Sequence, residues 1–148
     1  MKIDFFETNN GMDPRAIGAG VYMVELKNEM TNKKICLYVG ESVWIASRCG
    51  VHLYSLYDDP NYFGLTKNDI ANDKFTLKFS VITNIDGKKS VLGCGKYKEL
   101  ELETIKVNKP LTQLNTSDRQ IRDIKQKKSR VQDELVKQGF KLMKEINE

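Results

Sequence analysis

The sequence predicts an α/β (α+β) fold: a small, mainly antiparallel three-stranded sheet flanked by helices, with a C-terminal helical tail. Three observations predict it. Two β-rich runs, residues 21–26 and 35–39, flank a polar stretch at 28–32. A third run alternates apolar and polar residues at Phe75, Leu77, Phe79 and Val81. Helical stretches fall between and after these runs, which gives the order ββαβα.

The first two runs form a hairpin closed by a loop rather than a two-residue turn. A turn centred on Met30 sets Tyr22 directly across from Tyr38 and Val24 across from Cys36. Val21, Met23, Leu37 and Val39 then fill the opposite face. Residues 42–57 read as a helix that Ser42 caps, with Ile45, Cys49, Leu53 and Leu56 on one side. The loop Asp58-Asp59-Pro60-Asn61 follows, then the strand at 75–81, and Asp86-Gly87 turns the chain. A second helix runs from about Lys96 to Val107 and stops before Pro110, because the residue before a proline resists the α region. Residues 117–148 contain no proline and one glycine, Gly139, and place Ile124, Val131, Leu135, Leu142 and Ile146 on one helical face.

Length and charge bound the function. The 148 residues suffice for one hydrophobic core, so residues 1–116 read as the domain and 117–148 as a charged helical tail. No apolar run approaches the roughly 18 residues that span a bilayer, and no basic-then-apolar leader opens the chain. The three cysteines, Cys36, Cys49 and Cys94, form no C-x-x-C pair, which speaks against a zinc site or disulfide framework and for a reducing cytoplasm. With one histidine, His52, any mechanism that needs two is excluded. Net charge is +4, of which residues 1–116 carry +1 (15 basic, 14 acidic) and residues 117–148 carry +3 (9 basic, 6 acidic). An anionic partner is permitted, and most of the attraction lies in the tail.

Certain polar residues stand out against this background. Stepping about 100° per residue along the second helix sets Tyr97 and Ile105 about 40° either side of Glu101. Glu101 thus lies in the middle of the apolar arc, while Glu99, Glu103 and Lys106 fall on the solvent side. A carboxylate aimed at a core costs several kcal/mol unless a cation or donors receive it. It is either a structural partner of Arg48 or a metal ligand. Arg48 and His52, four apart on the first helix, stack at the edge of its apolar stripe with Trp44 one turn before. Each alone reads as a solvated arginine and a satisfied histidine, and a cross-strand tyrosine pair alone reads as packing.

Together these residues resemble a known pattern. Gly20-Val21-Tyr22 followed by Tyr38-Val39-Gly40 is similar to the two tripeptides that name the GIY-YIG nuclease superfamily. An arginine on the next helix is matched by Arg48, and the histidine one turn later, found in some restriction and homing endonucleases of that family, by His52. Glu101, Ile105 and Pro110 match the Glu-x-x-x-Ile helix and the proline after it. The resemblance covers roughly residues 18 to 115. It departs at the late asparagine: Gln113 stands where that residue is expected, and Asn115 comes two later.

The resemblance implies a DNA endonuclease with one Mg²⁺ (or Mn²⁺) on Glu101, Arg48 on the scissile phosphate, and Tyr22 with Tyr38 positioning or deprotonating water. His52 hydrogen-bonds either that tyrosine or the phosphate. Gly40, Trp44 and Asn115 are the expected substrate contacts. Tyrosine is a poor base at its ordinary pKa of about 10, so a nearby cation has to lower it. Two other classes stay open: a non-catalytic nucleic-acid-binding or protein-interaction module that keeps the fold, and an RNA-directed nuclease. The tail helix packs on the domain, pairs with a second copy as a homodimer, or lays Lys125, Lys127, Lys128 and Arg130 along a phosphate backbone.

Overall fold

The computed structural model describes residues 1–82, 97–114 and 117–143. In chain order these form β1 (Lys2–Phe5), β2 (Glu7–Thr8), β3 (Gly11–Met12), β4 (Gly20–Asn28), β5 (Lys34–Ser42), α1 (Ile45–Asp58), α2 (Lys67–Ala71), β6 (Phe75–Val81), α3 (Lys98–Asn108) and α4 (Ile124–Lys137). Short 3-10 turns occupy Pro14–Ile17 and Pro60–Phe63. Among the described residues no helix is long and apolar enough to cross a membrane.

The α+β class holds, but the sheet differs from the expected three antiparallel strands. It is a mixed four-stranded sheet in the order β1-β6-β4-β5, with β4 antiparallel to both neighbours and β1 parallel to β6. The four residues of β1 are too short to carry a periodic signal, and their partner lies some seventy positions away, so local patterning does not reveal them. The outer edge of β5 is covered as well. Leu111 N donates to the Cys36 carbonyl at 3.1 Å and Thr112 Oγ1 to the Leu37 carbonyl at 2.6 Å. Such covering removes an edge that would otherwise pair with another chain.

The hairpin register is also corrected. Tyr22 pairs with Gly40, and Val24 rather than Tyr22 pairs with Tyr38, while Cys36 faces Glu25. A bulge between Val24 and Glu25 causes this, because β5 places Leu37 as one extra residue there. Leu37 is consequently buried among Tyr22, Val24 and Tyr38 rather than with Val21 and Val39. The shift at the tyrosines is two residues, which preserves the face, so both rings still lie on one side with centroids 6.0 Å apart.

Alternation along β4 divides the interior in two. Tyr22, Val24 and Leu26, with Leu77 and Phe79 of β6, pack under Ile45, Cys49 and Leu56 of α1. Val21 and Val39 meet Tyr97 and Ile105 around α3. α1 begins at Ile45, not Ser42: the Ser42 hydroxyl closes a local turn on Trp44 N and O, both at 3.0 Å, and Trp44 holds the N-cap position without a side-chain bond. α3 ends at Asn108 with Lys109 in a left-handed conformation before Pro110. α2 is fixed by a capping box between Thr66 and Asp69.

Residues of the tail complete the larger core. Val131, Leu135 and Phe140 are buried in it, whereas Ile124 and Leu142 of the expected stripe are exposed and Ile146 lies outside the described residues. Lys127 is buried too and does not belong to a solvated basic face. α4 crosses at Gly64, where φ is +71° and a Cβ would stand 2.7 Å from Val131 Cβ. Below it, Asp69 accepts from Lys141 Nζ and from Gln132 Nε2, both at 2.9 Å, an arrangement that satisfies a buried carboxylate.

Candidate active site

Tyr22, Tyr38, Arg48 and His52 meet between the hairpin and α1. Tyr22 comes from β4 and Tyr38 from β5, and both cross Gly40. A Cβ at Gly40 would lie 2.5 Å from Tyr22 Cζ and 2.8 Å from Tyr38 Cε1. Glycine at that position is therefore required by the two rings rather than by the backbone. His52 enters from α1, fully buried, with its ring centroid 4.9 Å from that of Tyr38.

The imidazole joins two phenols. Tyr22 Oη lies 2.7 Å from His52 Nε2, and Tyr62 Oη lies 2.7 Å from His52 Nδ1. Arg48, an exposed side chain, brings its charge to the Tyr22 hydroxyl. With the Tyr22 phenol donating to Nε2, the neutral ring carries its proton on Nδ1 and donates to Tyr62.

Burial dominates the charges here. It raises the Tyr22 hydroxyl above its ordinary range, and the neighbouring Tyr38 adds to this, outweighing the lowering by Arg48. Tyr38 is likewise raised by burial. The lowering by a nearby cation that a tyrosine base requires is supplied by Arg48, and desolvation exceeds it.

For His52, burial and then the Arg48 charge lower the pKa from 6.5 to about 3, so the ring is neutral in the fold. An unfolded imidazole takes up its proton near pH 6.5, so between about 6.5 and 3 the unfolded state binds more protons. The stability contributed by neutral His52 is fully present above that window and is lost as pH falls through it. Urea unfolding is expected to lose about 1.4 kcal/mol per pH unit below about 6.5, and His52→Gln is expected to flatten that slope. Equal slopes in both proteins would assign acid sensitivity to other groups.

Glu101 lies where the helical-face argument placed it, 4% exposed, while Glu99, Glu103 and Lys106 are exposed. Its partner is Lys98 rather than Arg48: Lys98 Nζ donates to Glu101 Oε1 at 3.1 Å and also pairs with Asp118. Burial raises the Glu101 carboxyl above the usual range, Lys98 opposes this, and the charges of Asp118 and Glu41 reinforce it. The Glu101 charge is also among those that raise the Tyr38 hydroxyl. Among the described residues, no group of three or more His, Cys, Asp or Glu side chains is arranged to hold a metal.

The remaining expectations divide. Trp44 stands exposed one turn before Arg48. Asn115 lies outside the described residues. Gln113 is fully buried, accepting from Val39 N at 2.9 Å and donating to Val39 O at 2.7 Å and Asp118 O at 3.0 Å, so its amide completes the edge of β5. Sequence reasoning missed Tyr62, Lys98 and Asp118, and it read Lys127 as a solvated cation of the tail. Lys127 donates to the Tyr62 carbonyl at 3.0 Å and to Gln120 Oε1 at 3.1 Å, and its ammonium sits 5.3 Å from the Tyr62 ring centroid. The signal for it was present, since Lys127 precedes Val131 and Leu135 at helical spacing. No family model, curated protein or solved structure matches this chain.

Proposed function

We propose that the chain is a metal-dependent endonuclease of the GIY-YIG type, hydrolysing phosphodiester bonds in DNA. The observation that carries this reading is an exposed arginine on a buried tyrosine–histidine cluster, with the inward carboxylate of Glu101 on α3 adding its charge at Tyr38. A module that only binds nucleic acid or protein has no use for a carboxylate held away from water.

Each residue then has a task. Arg48 receives the scissile phosphate through its planar donors and, in turning to it, uncovers the Tyr22 phenol. Tyr22, backed by His52, orients the attacking water and takes part in moving its proton, with Tyr38 alongside. Gly40 lets the two rings lie together, and Trp44 offers an aromatic face next to Arg48. Glu101 with Asp118 would hold Mg²⁺ or Mn²⁺. Both carboxylates already share one cationic group, the Lys98 ammonium, and water and phosphate oxygens suffice for the rest of such a shell. A divalent ion bound there supplies charge stabilisation at the phosphate and the leaving oxygen.

DNA is the proposed partner, and a reducing cytoplasm suits the free Cys36 and Cys49. The tail uses Val131 and Leu135 inside the chain, so it offers a partner its exposed Lys125 rather than an apolar dimer seam. Arg48→Ala is expected to lower the cleavage rate about 10²- to 10³-fold on end-labelled duplex DNA with the far-ultraviolet circular dichroism unchanged. A loss of fold in parallel with the rate would make Arg48 structural and sink its assigned role.

A further inference from the structure

The buried imidazole has a second phenol that water positioning at Tyr22 does not need. Tyr62, carried on the 3-10 turn Pro60–Phe63, is half-buried, whereas Tyr22 and His52 are fully buried. Its hydroxyl touches His52 Nδ1, opposite the nitrogen that faces Tyr22. Three groups thus stand in line from the cluster towards solvent, through two contacts of 2.7 Å each. Lys127 of α4 fixes the outer member, holding the Tyr62 carbonyl and lying over its ring.

Resting on the nuclease reading above, we infer that Tyr62 is the outer member of a proton relay, Tyr22–His52–Tyr62, which carries the proton of the attacking water to bulk solvent. As the water oxygen bonds to phosphorus and the bond from phosphorus to the leaving oxygen breaks, the leaving oxygen takes a proton from cleft water, the attacking water's proton passes to Tyr22 Oη and the Tyr22 proton passes to His52 Nε2. The Nδ1 proton moves to Tyr62 Oη, and the Tyr62 proton leaves to water. One proton enters and one leaves, and the three side chains are neutral before and after. His52 ends in its other tautomer. After product leaves, a proton taken from bulk by Tyr62 travels inward and one departs from Tyr22 to cleft water, which restores the first tautomer.

Concerted passage is what this environment requires. A buried ring that resists a positive charge cannot store the proton, and a buried phenol that resists a negative charge cannot wait as phenolate. The groups facing His52 are Arg48 of α1, Tyr22 of β4, Tyr38 of β5, and Tyr62 and Phe63 of the turn. Lys127, with Asp59 acting on it, stands behind Tyr62. None of the groups facing the ring is a carboxylate, so among the described residues Tyr62 is the group placed to take the Nδ1 proton. Tyr62 is a positioning and relay residue that acts through His52.

The test compares the full-length wild type with Tyr62→Phe, which keeps the ring and removes the hydroxyl. With duplex DNA and Mg²⁺, kcat is expected to fall about 10²-fold, the lower end of the range attributed to acid–base assistance, with KM unchanged, the fold retained on circular dichroism and the melting temperature lowered by the loss of the Nδ1 partner. The solvent deuterium isotope effect on kcat is expected to shrink. Nitrogen-15 NMR of the wild type should show neutral His52 with the proton on Nδ1, shifting towards Nε2 in Tyr62→Phe. Unchanged kcat and isotope effect in a folded Tyr62→Phe overturn the relay alone, while a wild type that cleaves no DNA overturns the nuclease reading and the relay with it. Should the variant fail to fold, the wild-type spectrum decides: a proton on Nε2 removes the proposed direction of transfer.

Discussion

Replacing Glu101 with glutamine is expected to abolish cleavage and to raise thermal stability in the same protein. Glutamine keeps the shape of the side chain and removes its charge. A neutral amide cannot hold a divalent cation as a carboxylate does, and the loss of rate should reach about 10²-fold or more, the scale seen when one charge-stabilising group is removed. Stability moves the other way because the carboxylate is buried and the charges of Asp118 and Glu41 act against it, while Lys98 opposes them. Its folded pKa is raised, so the folded state holds the proton more tightly than the unfolded chain. The favourable contribution is present below the unfolded pKa of about 4.3 and is lost as pH rises through the folded value. At neutral pH the wild type carries this cost and glutamine does not. The melting temperature should therefore rise at neutral pH, and the rise should vanish near pH 4. Lys98 keeps Asp118 as a partner in the variant. A variant that cleaves normally and melts lower would make Glu101 a structural partner of Lys98.

The second large effect concerns Gly40. Alanine there drives a methyl group into two rings, of which Tyr22 is fully buried and Tyr38 nearly so, and neither has room to retreat. Overpacking of this kind costs about 1–3 kcal/mol, and the upper end is expected here, a fall of roughly 6–12 °C. Gly50 provides the contrast. It lies within α1 with nothing inside 4 Å of its would-be Cβ, so Gly50→Ala should stabilise by about 0.5–1 kcal/mol through helix propensity. Melting curves of the two variants check the geometry without reference to activity. Equal effects from both would mean that the tyrosines do not close over Gly40.

Much of this site was legible because its residues follow short-period rules. Tyr22 and Tyr38 share a face at any even register shift, so the bulge at Leu37 moved the pairing without separating them. Glu101 was found from the 3.6-residue period alone. β1 and Gln113 were not, because each is defined by a partner far along the chain. Tyr62 lies in the loop that had no periodicity to read, and Asp118 follows Pro110 in a segment of the same kind. Lys127 was misplaced for a different reason: a lysine between apolar positions reads as solvated until the helix is seen to turn that side inward.

The central claim is that this cluster hydrolyses DNA with a divalent cation, and incubation with supercoiled plasmid tests it most directly. The wild type is expected to nick or linearise the plasmid with Mg²⁺ or Mn²⁺ and to leave it intact with EDTA, with Glu101→Gln inactive under both conditions. Plasmid that is bound but uncut with either metal, or cleavage that persists undiminished in Glu101→Gln, would contradict it.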